Sequence, residues 1–321
     1  MRNEESTMSQ TVFLDSGTLG ELKIDADWEL YPSTPPEKVV ERCCHHSIVI
    51  TNKVKMTKEI IEKCPLLKLI CVAATGVDHI DLEAAKARGI VVCNVPDYSS
   101  PGVIQLTIFF ILALFHNPLP YIEDVKQGRW QKSPLFTFLD YPIHEVAGKT
   151  LGIIGYGKIG KGVADVAKAL GMKVKVCAHK NKDLGEVEVC KLEELLPQVD
   201  VLSCHIPLNS QTKNMISKKE LLLMKPSAYL INVARGGIVN ESDLAQVLKD
   251  KLLAGAALDV LSQEPPNNGN PLIEKGVPHL LLTPHMAWGS LESRDRLITI
   301  LKNNISSYLK GKPQNRVFKL L

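Results

Sequence analysis

Short β-type runs alternate with amphipathic stretches along nearly the whole chain, a pattern that predicts parallel βαβ units. In the first third, strands are expected at Thr11–Leu14, Ser47–Thr51, Leu67–Val72 and Ile90–Asn94. Between them, Pro36–Cys44 and Thr57–Lys63 have the apolar and polar spacing of helices. Asp81–Arg88 adds another, with Asp81 as its N-cap and Gly89 as its stop. From Gly102 the pattern changes to a long, almost wholly apolar helix. It ends near Asn117-Pro118, because proline cannot continue a helix. A second series starts at Thr150, with strands expected at Thr150–Gly155, Lys173–Ala178, Val199–Ile206, Ala228–Val233, Gly255–Val260 and His279–Thr283. Six strands with helices between them are what a doubly wound dinucleotide domain requires. Ser290–Leu309 is again helical and amphipathic.

The two series predict an α/β protein of two doubly wound domains. Residues 103–287 form a continuous Rossmann-type dinucleotide domain, inserted between residues 1–102 and 288–321, which together make the other domain. A length of 321 residues suits two domains. With 45% hydrophobic and 23% charged residues and a net charge of +3, extensive disorder is excluded. Basic and acidic residues are interspersed, so no nucleic-acid surface is expected. The longest apolar run, Val103–Phe115, is broken by Gln105 and Thr107 and falls short of the roughly 20 residues that cross a bilayer. The N-terminal MRNEESTMSQ lacks the apolar core of a secretory signal. A cytoplasmic protein without membrane partners is the expectation.

Eight cysteines invite a disulfide or metal reading. Cys71, Cys93, Cys177 and Cys204 lie in apolar runs, where a free thiol behaves as a small hydrophobe, and no Cys-x-x-Cys pair occurs. Cys43-Cys44-His45-His46 has no second ligand cluster to close a tetrahedral site, so it reads as a helix end before a strand and no metal is expected.

Cofactor chemistry is carried by Gly155-Tyr156-Gly157-Lys158-Ile159-Gly160, a Gly-x-Gly-x-x-Gly directly after an apolar strand and before the helical stretch Lys161–Leu170. Gly155 permits the tight turn, Gly157 lets the backbone approach a pyrophosphate, and Gly160 allows close helix-to-strand packing. The helix N-terminus supplies N–H donors for the phosphates. Turns collect glycine for structural reasons too, so it is the strand-turn-helix context that makes the pattern specific. The ribose-binding acid usual at the end of the next strand is missing: that strand ends in Ala178-His179-Lys180.

Three later residues suit acid/base work. Arg235 follows Asn232-Val233-Ala234, Glu264 precedes Pro265, and His285 follows Thr283-Pro284. Each comes after the carboxyl end of an expected strand, where open α/β sheets place ligands. A histidine can take the hydroxyl proton during hydride transfer, and a carboxylate beside it holds the protonated form. An arginine fork suits a substrate carboxylate and polarises a ketone. Taken singly, each is more simply a surface arginine, an ordinary Glu-Pro loop and a structural histidine. Together they point to an oxidoreductase.

These motifs resemble the D-isomer-specific 2-hydroxyacid dehydrogenases. The similarity runs through Gly76-Val77-Asp78-His79-Ile80-Asp81, Gly148–Gly155, Val233-Ala234-Arg235-Gly236-Gly237, Ala257-Leu258-Asp259-Val260, Glu264-Pro265 and Thr283-Pro284-His285. Pro96-Asp97-Tyr98-Ser99, Gly128-Arg129-Trp130 and Ala287-Trp288-Gly289-Ser290 resemble the glycerate dehydrogenase (hydroxypyruvate reductase) branch. The resemblance implies a flavodoxin-like substrate domain around the inserted Rossmann domain. It implies His285 as general acid/base, Glu264 as its partner and Arg235 as substrate-carboxylate ligand. Backbone N–H groups at Ala74, Thr75 and Gly76 are implied to cradle the substrate carboxylate from the other domain. Asp259 is implied to hold the nicotinamide carboxamide, with Val233, Ala234, Arg235 and His285 around the ring. His205, Ile206 and Pro207 match a cofactor-lining loop and Thr107 a residue near the pyrophosphate, although the preceding Val103–Leu106 departs from the usual Ala-Glu-His or Ala-Gln-His. The apolar helix resembles a dimer-forming element, so a homodimer is expected.

The expected activity is NAD(P)-dependent reduction of a small 2-keto acid, of the hydroxypyruvate or glyoxylate type, and its reverse. A nucleotide-sensing binding protein, like the family's corepressor branch, is the alternative. An acid at the ribose position repels a 2′-phosphate, so Ala178 removes the usual barrier to NADP, and Lys180 and protonated His179 could pair with the phosphate. A later strand end would let Asp183 or Glu186 supply the acid instead. The expectation between NAD and NADP therefore leans to NADP or dual use.

Overall fold

The computed structural model describes residues 10–21, 24–178 and 187–318. The chain divides into two compact units, Met1–Ser99 with Trp288–Leu321, and Ser100–Ala287.

In the first unit five parallel strands are β1 (Thr11–Phe13), β2 (Glu29–Leu30), β3 (Ile48–Thr51), β4 (Leu69–Val72) and β5 (Val91–Cys93), in the order β2-β1-β3-β4-β5. That is the flavodoxin-like order, with its switch point between β1 and β3. Every residue of β1, β3, β4 and β5 is buried, which is why these strands read as continuous apolar runs. β2 was not expected: it is a two-residue edge strand, half-buried to exposed, with no apolar run to announce it. The helices are α1 (Val39–Cys43), α2 (Lys58–Glu62) and α3 (Leu82–Ala87). Thr57 accepts a hydrogen bond from the Ile60 N–H and Asp81 from the Ala84 N–H, so both cap their helices. Cys43 closes α1 inside the core, while His46 Nε2 lies 3.0 Å from Glu29 Oε2.

The second unit opens with α4 (Ser100–His116) and α5 (Pro118–Lys126). α4 starts two residues before Gly102, and α5 was not expected at all. Pro118 ends α4 yet occupies the first turn of α5, where its missing N–H costs nothing. Then follow β6 (Thr150–Ile154), α6 (Lys158–Ala169), β7 (Lys173–Cys177), β8 (Glu188–Val189), α7 (Leu192–Leu195), β9 (Val201–Cys204), α8 (Lys218–Leu221), β10 (Tyr229–Asn232), α9 (Glu241–Lys249), β11 (Gly255–Leu258) and β12 (Leu280–Leu282). The parallel order is β12-β11-β10-β9-β6-β7-β8. From β6 the chain runs outward to β8 and returns on the other side at β9, the Rossmann winding with its switch point between β6 and β9. Among the described residues seven strands stand where six were expected, the added one being β8, an exposed two-residue edge. Two apolar cores cover the sheet. Val103, Phe110, Ile111 and Leu114 of α4 pack with Val163 and Ala167 of α6 and with Leu151 and Ile153 of β6. Leu195, Leu221, Leu244 and Leu248 fill the other.

The chain then returns to the first unit as α10 (Leu291–Leu309), whose Leu297, Leu301 and Ile305 share a core with Ile48, Ile50 and Leu69. Among the described residues no single helix is long and apolar enough to cross a membrane.

Each unit holds a histidine that burial keeps neutral. Burial pushes His205, just after β9, down to about 4. His79 is likewise pushed down to about 4, by burial and then by the charge of Lys53. An unfolded histidine titrates near ~6.5, so below that pH the unfolded chain takes up protons that the fold excludes. Stability is therefore lost as pH falls from ~6.5 towards 4, by at most ~2 kcal/mol per histidine at pH ~5. Thermal melts at pH ~7.5 and ~5 should show this fall, and His205→Gln should reduce it. Equal falls in both proteins would remove His205 from the account.

Candidate active site

The glycine loop lies between β6 and α6. Gly155 has φ +91°, and a Cβ there would meet the His205 carbonyl oxygen at 2.5 Å and Ile206 Cγ2 at 2.6 Å. A side chain is thus excluded both by conformation and by the neighbouring strand end. At Gly160 a Cβ would meet the Gly155 carbonyl oxygen at 2.2 Å, which is the close packing of helix on turn. Gly157 is different: it caps α6, and a Cβ there would meet nothing within 4 Å. The open space lies in front of a helix N-terminus that no side chain caps, followed by Lys158 and Ile159. First-turn N–H groups without intrahelical partners suit a phosphate, so these residues fit a dinucleotide. Tyr156 is half-buried in the same turn, and burial raises its hydroxyl above the ordinary tyrosine range.

β10, β11 and β12 are neighbours in the sheet, and their carboxyl ends carry the acid/base residues. At the end of β10, Asn232 braces the arginine turn: its Nδ2 donates to the Arg235 carbonyl at 2.9 Å and its Oδ1 accepts from the Ala234 N–H at 3.1 Å. The half-buried Arg235 donates to the Ala234 carbonyl at 2.8 Å. Past β11, Glu264 Oε1 accepts from the Leu261 N–H at 2.9 Å, which leaves Oε2 2.6 Å from Nδ1 of His285. The Glu264–Pro265 peptide is cis. His285, beyond β12, has φ +51°, a left-handed conformation unusual for a residue with a side chain.

That conformation is held from below by Asp259, which is 1% exposed. Its carboxylate accepts from Thr283 Oγ1 at 2.5 Å, from the Met286 N–H at 2.8 Å and from the Ala287 N–H at 2.9 Å. Burial raises the Asp259 carboxyl above its ordinary range, against those hydrogen bonds and the nearby His285, which lower it. The resemblance gave Asp259 to the nicotinamide carboxamide. In the structure both of its oxygens shape the turn that presents His285.

The remaining candidates are spread more widely. Val233 is buried and Ala234 half-buried at the end of β10, and His205, Ile206 and Pro207 follow β9 beside the glycine loop. His205 Nε2 lies 2.9 Å from Ser203 Oγ. Thr107 is wholly buried in α4, its hydroxyl donating to the Val103 carbonyl one turn back. Ala178 directly follows β7, whereas His179 and Lys180, like Asp183 and Glu186, lie outside the described residues. In the first unit, Ala74, Thr75 and Gly76 follow β4. There the Thr75 hydroxyl donates to the Val95 carbonyl and Asn94 Nδ2 donates to the Thr75 carbonyl. Sequence reasoning missed the bracing role of Asn232. An asparagine at a buried strand end was the available signal.

The sequence model of the family described as D-isomer specific 2-hydroxyacid dehydrogenase, NAD binding domain, matches residues 108–287. The glycerate dehydrogenase of Methylorubrum extorquens is 45% identical over 313 residues, 96% of this chain and 98% of that protein. The hydroxypyruvate reductase of Blautia hydrogenotrophica is 41% identical over 290 residues, 89% of each. A solved structure of an acyclic imino acid reductase in complex with NADPH and D-Arg is similar with a TM-score of 0.83 and 32% identity, covering 96% of this chain and 100% of that one. The chain belongs to the D-isomer-specific 2-hydroxyacid dehydrogenases, nicotinamide-dependent oxidoreductases acting on a CH–OH group.

Proposed function

We propose that this enzyme reduces a small 2-keto acid of the hydroxypyruvate or glyoxylate type to the D-2-hydroxy acid, and runs the reverse. The observation that carries the reading is the 2.6 Å contact between Glu264 Oε2 and His285 Nδ1. A carboxylate on Nδ1 fixes the proton there, so Nε2 is the nitrogen that exchanges a proton with the substrate oxygen. Arg235 takes the substrate carboxylate on its guanidinium fork and polarises the ketone. When bound, the nicotinamide supplies or accepts the hydride. Gly155–Gly160 would hold the pyrophosphate, and Val233, Ala234 and His205–Pro207 would line the cofactor. The substrate unit would be the first one, with Ala74, Thr75 and Gly76 at its strand end. The relatives are named for dehydrogenase and reductase activities, which does not favour a purely nucleotide-sensing protein.

Two finer readings accompany this one. Ala178 carries no acid to repel a 2′-phosphate, which supports NADPH or dual use, and the similar imino acid reductase holds NADPH. Trp130, Leu135, Phe136, Leu139 and Ile143 are exposed in one stretch of the second unit, with Phe109 of α4 also exposed. So much uncovered apolar surface supports a homodimer. A cytoplasmic location agrees with eight free thiols.

His285→Asn should lower kcat by about a hundredfold or more while cofactor affinity, read by fluorescence titration, stays within a few-fold. Retention of more than about a tenth of the activity would remove His285 from the chemistry. Glu264→Gln should keep activity but move the pH profile. Reduction consumes the protonated imidazole, and the neutral amide no longer favours it, so the half-activity pH for reduction should move down. An unmoved profile would unlink the pair. With hydroxypyruvate as substrate, kcat/KM for NADPH should equal or exceed that for NADH, and Ala178→Asp should shift the ratio towards NADH. A strong NADH preference in the unmodified enzyme sinks the NADPH reading.

A further inference from the structure

The Glu264 loop is closed by a carboxylate from a different element. Glu241, the first residue of α9 and 8% exposed, accepts three hydrogen bonds from that loop. The Ser262 N–H reaches Oε1 at 2.5 Å, the Ser262 hydroxyl reaches Oε2 at 2.7 Å, and Asn270 Nδ2 reaches Oε2 at 2.6 Å. Residues 262 and 270 are therefore tied to one side chain, and Glu264 lies on the segment between them.

The same anchor meets the arginine turn. Gly236, next to Arg235, sits so close to the loop that a Cβ would lie 1.9 Å from the Leu261 carbonyl oxygen and 2.4 Å from the Ser262 nitrogen. Leu261 is also the residue whose N–H orients Glu264. Glu241 thus holds Ser262 where the Leu261–Ser262 backbone abuts the turn that carries Arg235. Release of that backbone would free both turns together.

We propose that Glu241 is a positioning residue, acting through the Ser262 anchor to hold Glu264 on His285 and to fix the separation of Glu264 from Arg235. The inference rests on the reading of Glu264 and His285 given above. A carboxylate is required because three donors converge on two acceptor oxygens. A glutamine would turn one of those acceptors into a donor facing other donors.

The test uses Glu241→Gln, Glu264→Gln and the double variant, with Ser262→Ala as a milder cut that leaves the buried carboxylate in place. Because Glu241 acts by positioning Glu264, Glu241→Gln should lower kcat by no more than Glu264→Gln does. Cofactor affinity by fluorescence titration should stay within a few-fold. The half-activity pH for reduction should move down as in Glu264→Gln, and the double variant should move no further than Glu264→Gln alone. Ser262→Ala should move the profile in the same direction by less, and it carries the test if Glu241→Gln does not fold. An unmoved profile in Glu241→Gln or, failing that, in Ser262→Ala, beside a moved one in Glu264→Gln, overturns this inference alone. Additive shifts in the double variant overturn it too. An unmoved Glu264→Gln profile overturns the reading of the pair and this inference with it.

Discussion

A charged group nearly closed off from water must be answered by dipoles, and Asp259 is answered by the turn that carries His285. Its carboxylate stands at the end of β11 with three donors, two of them the N–H groups of Met286 and Ala287. Both N–H groups can point at one carboxylate only if the chain doubles back tightly after Pro284. The left-handed backbone at His285 lies directly before these two N–H groups. A strained residue persists where its surroundings over-determine it, and here Asp259, the Thr283 carbonyl and Glu264 all hold the turn. The direction of the imidazole follows from that strain.

Parallel winding does the rest. β10, β11 and β12 lie side by side, with Asn232 opposite Leu258 and Leu258 opposite Leu282. In a parallel sheet all carboxyl ends leave at one edge, so loops far apart in sequence emerge as neighbours. Arg235, Glu264 and His285 come from three such loops. None lies within 20 residues of the next, yet Glu264 and His285 are in hydrogen-bond contact. The fold determines which loops meet, and the side chains then determine how closely.

Legibility in the sequence followed burial. β1, β3, β4 and β5 are buried throughout, and their apolar runs located them within a residue or two. β2 and β8 are short edges with polar residues, and hydrophobic pattern has nothing to say about pairing through the backbone alone. α5 escaped because Pro118 marks both an end and a beginning. At the site, the glycine fingerprint and the Arg, Glu and His positions were legible because their chemistry is carried by residue type. The bracing contacts of Asp259, Asn232 and Glu241 were not. Their partners are mostly main-chain groups, which every residue possesses and no sequence spacing displays. The carboxylate role expected at the end of β7 moved in the opposite direction: there the informative feature is the alanine, Ala178, where an acid is usual.

Three carboxylates surround the arginine and histidine turns, and their environments divide the work. Asp259 and Glu241 are buried and held by hydroxyl, amide and backbone donors, which are neutral and keep their orientation whatever the substrate's charge. Glu264 is partly exposed and touches the imidazole itself. A proton arriving at or leaving His285 changes the charge across the Glu264 contact, so that carboxylate is the one coupled to the reaction. Asp259 also feels the charge on His285, whereas Glu241 bears on the pair through the positions of the turns. Fixed neutral dipoles need no rearrangement when the proton moves, and that absence of reorganisation is where a preorganised site gains over water. Two buried negative charges are thus compatible with acid/base work beside them, because each is answered locally by donors that stay in place.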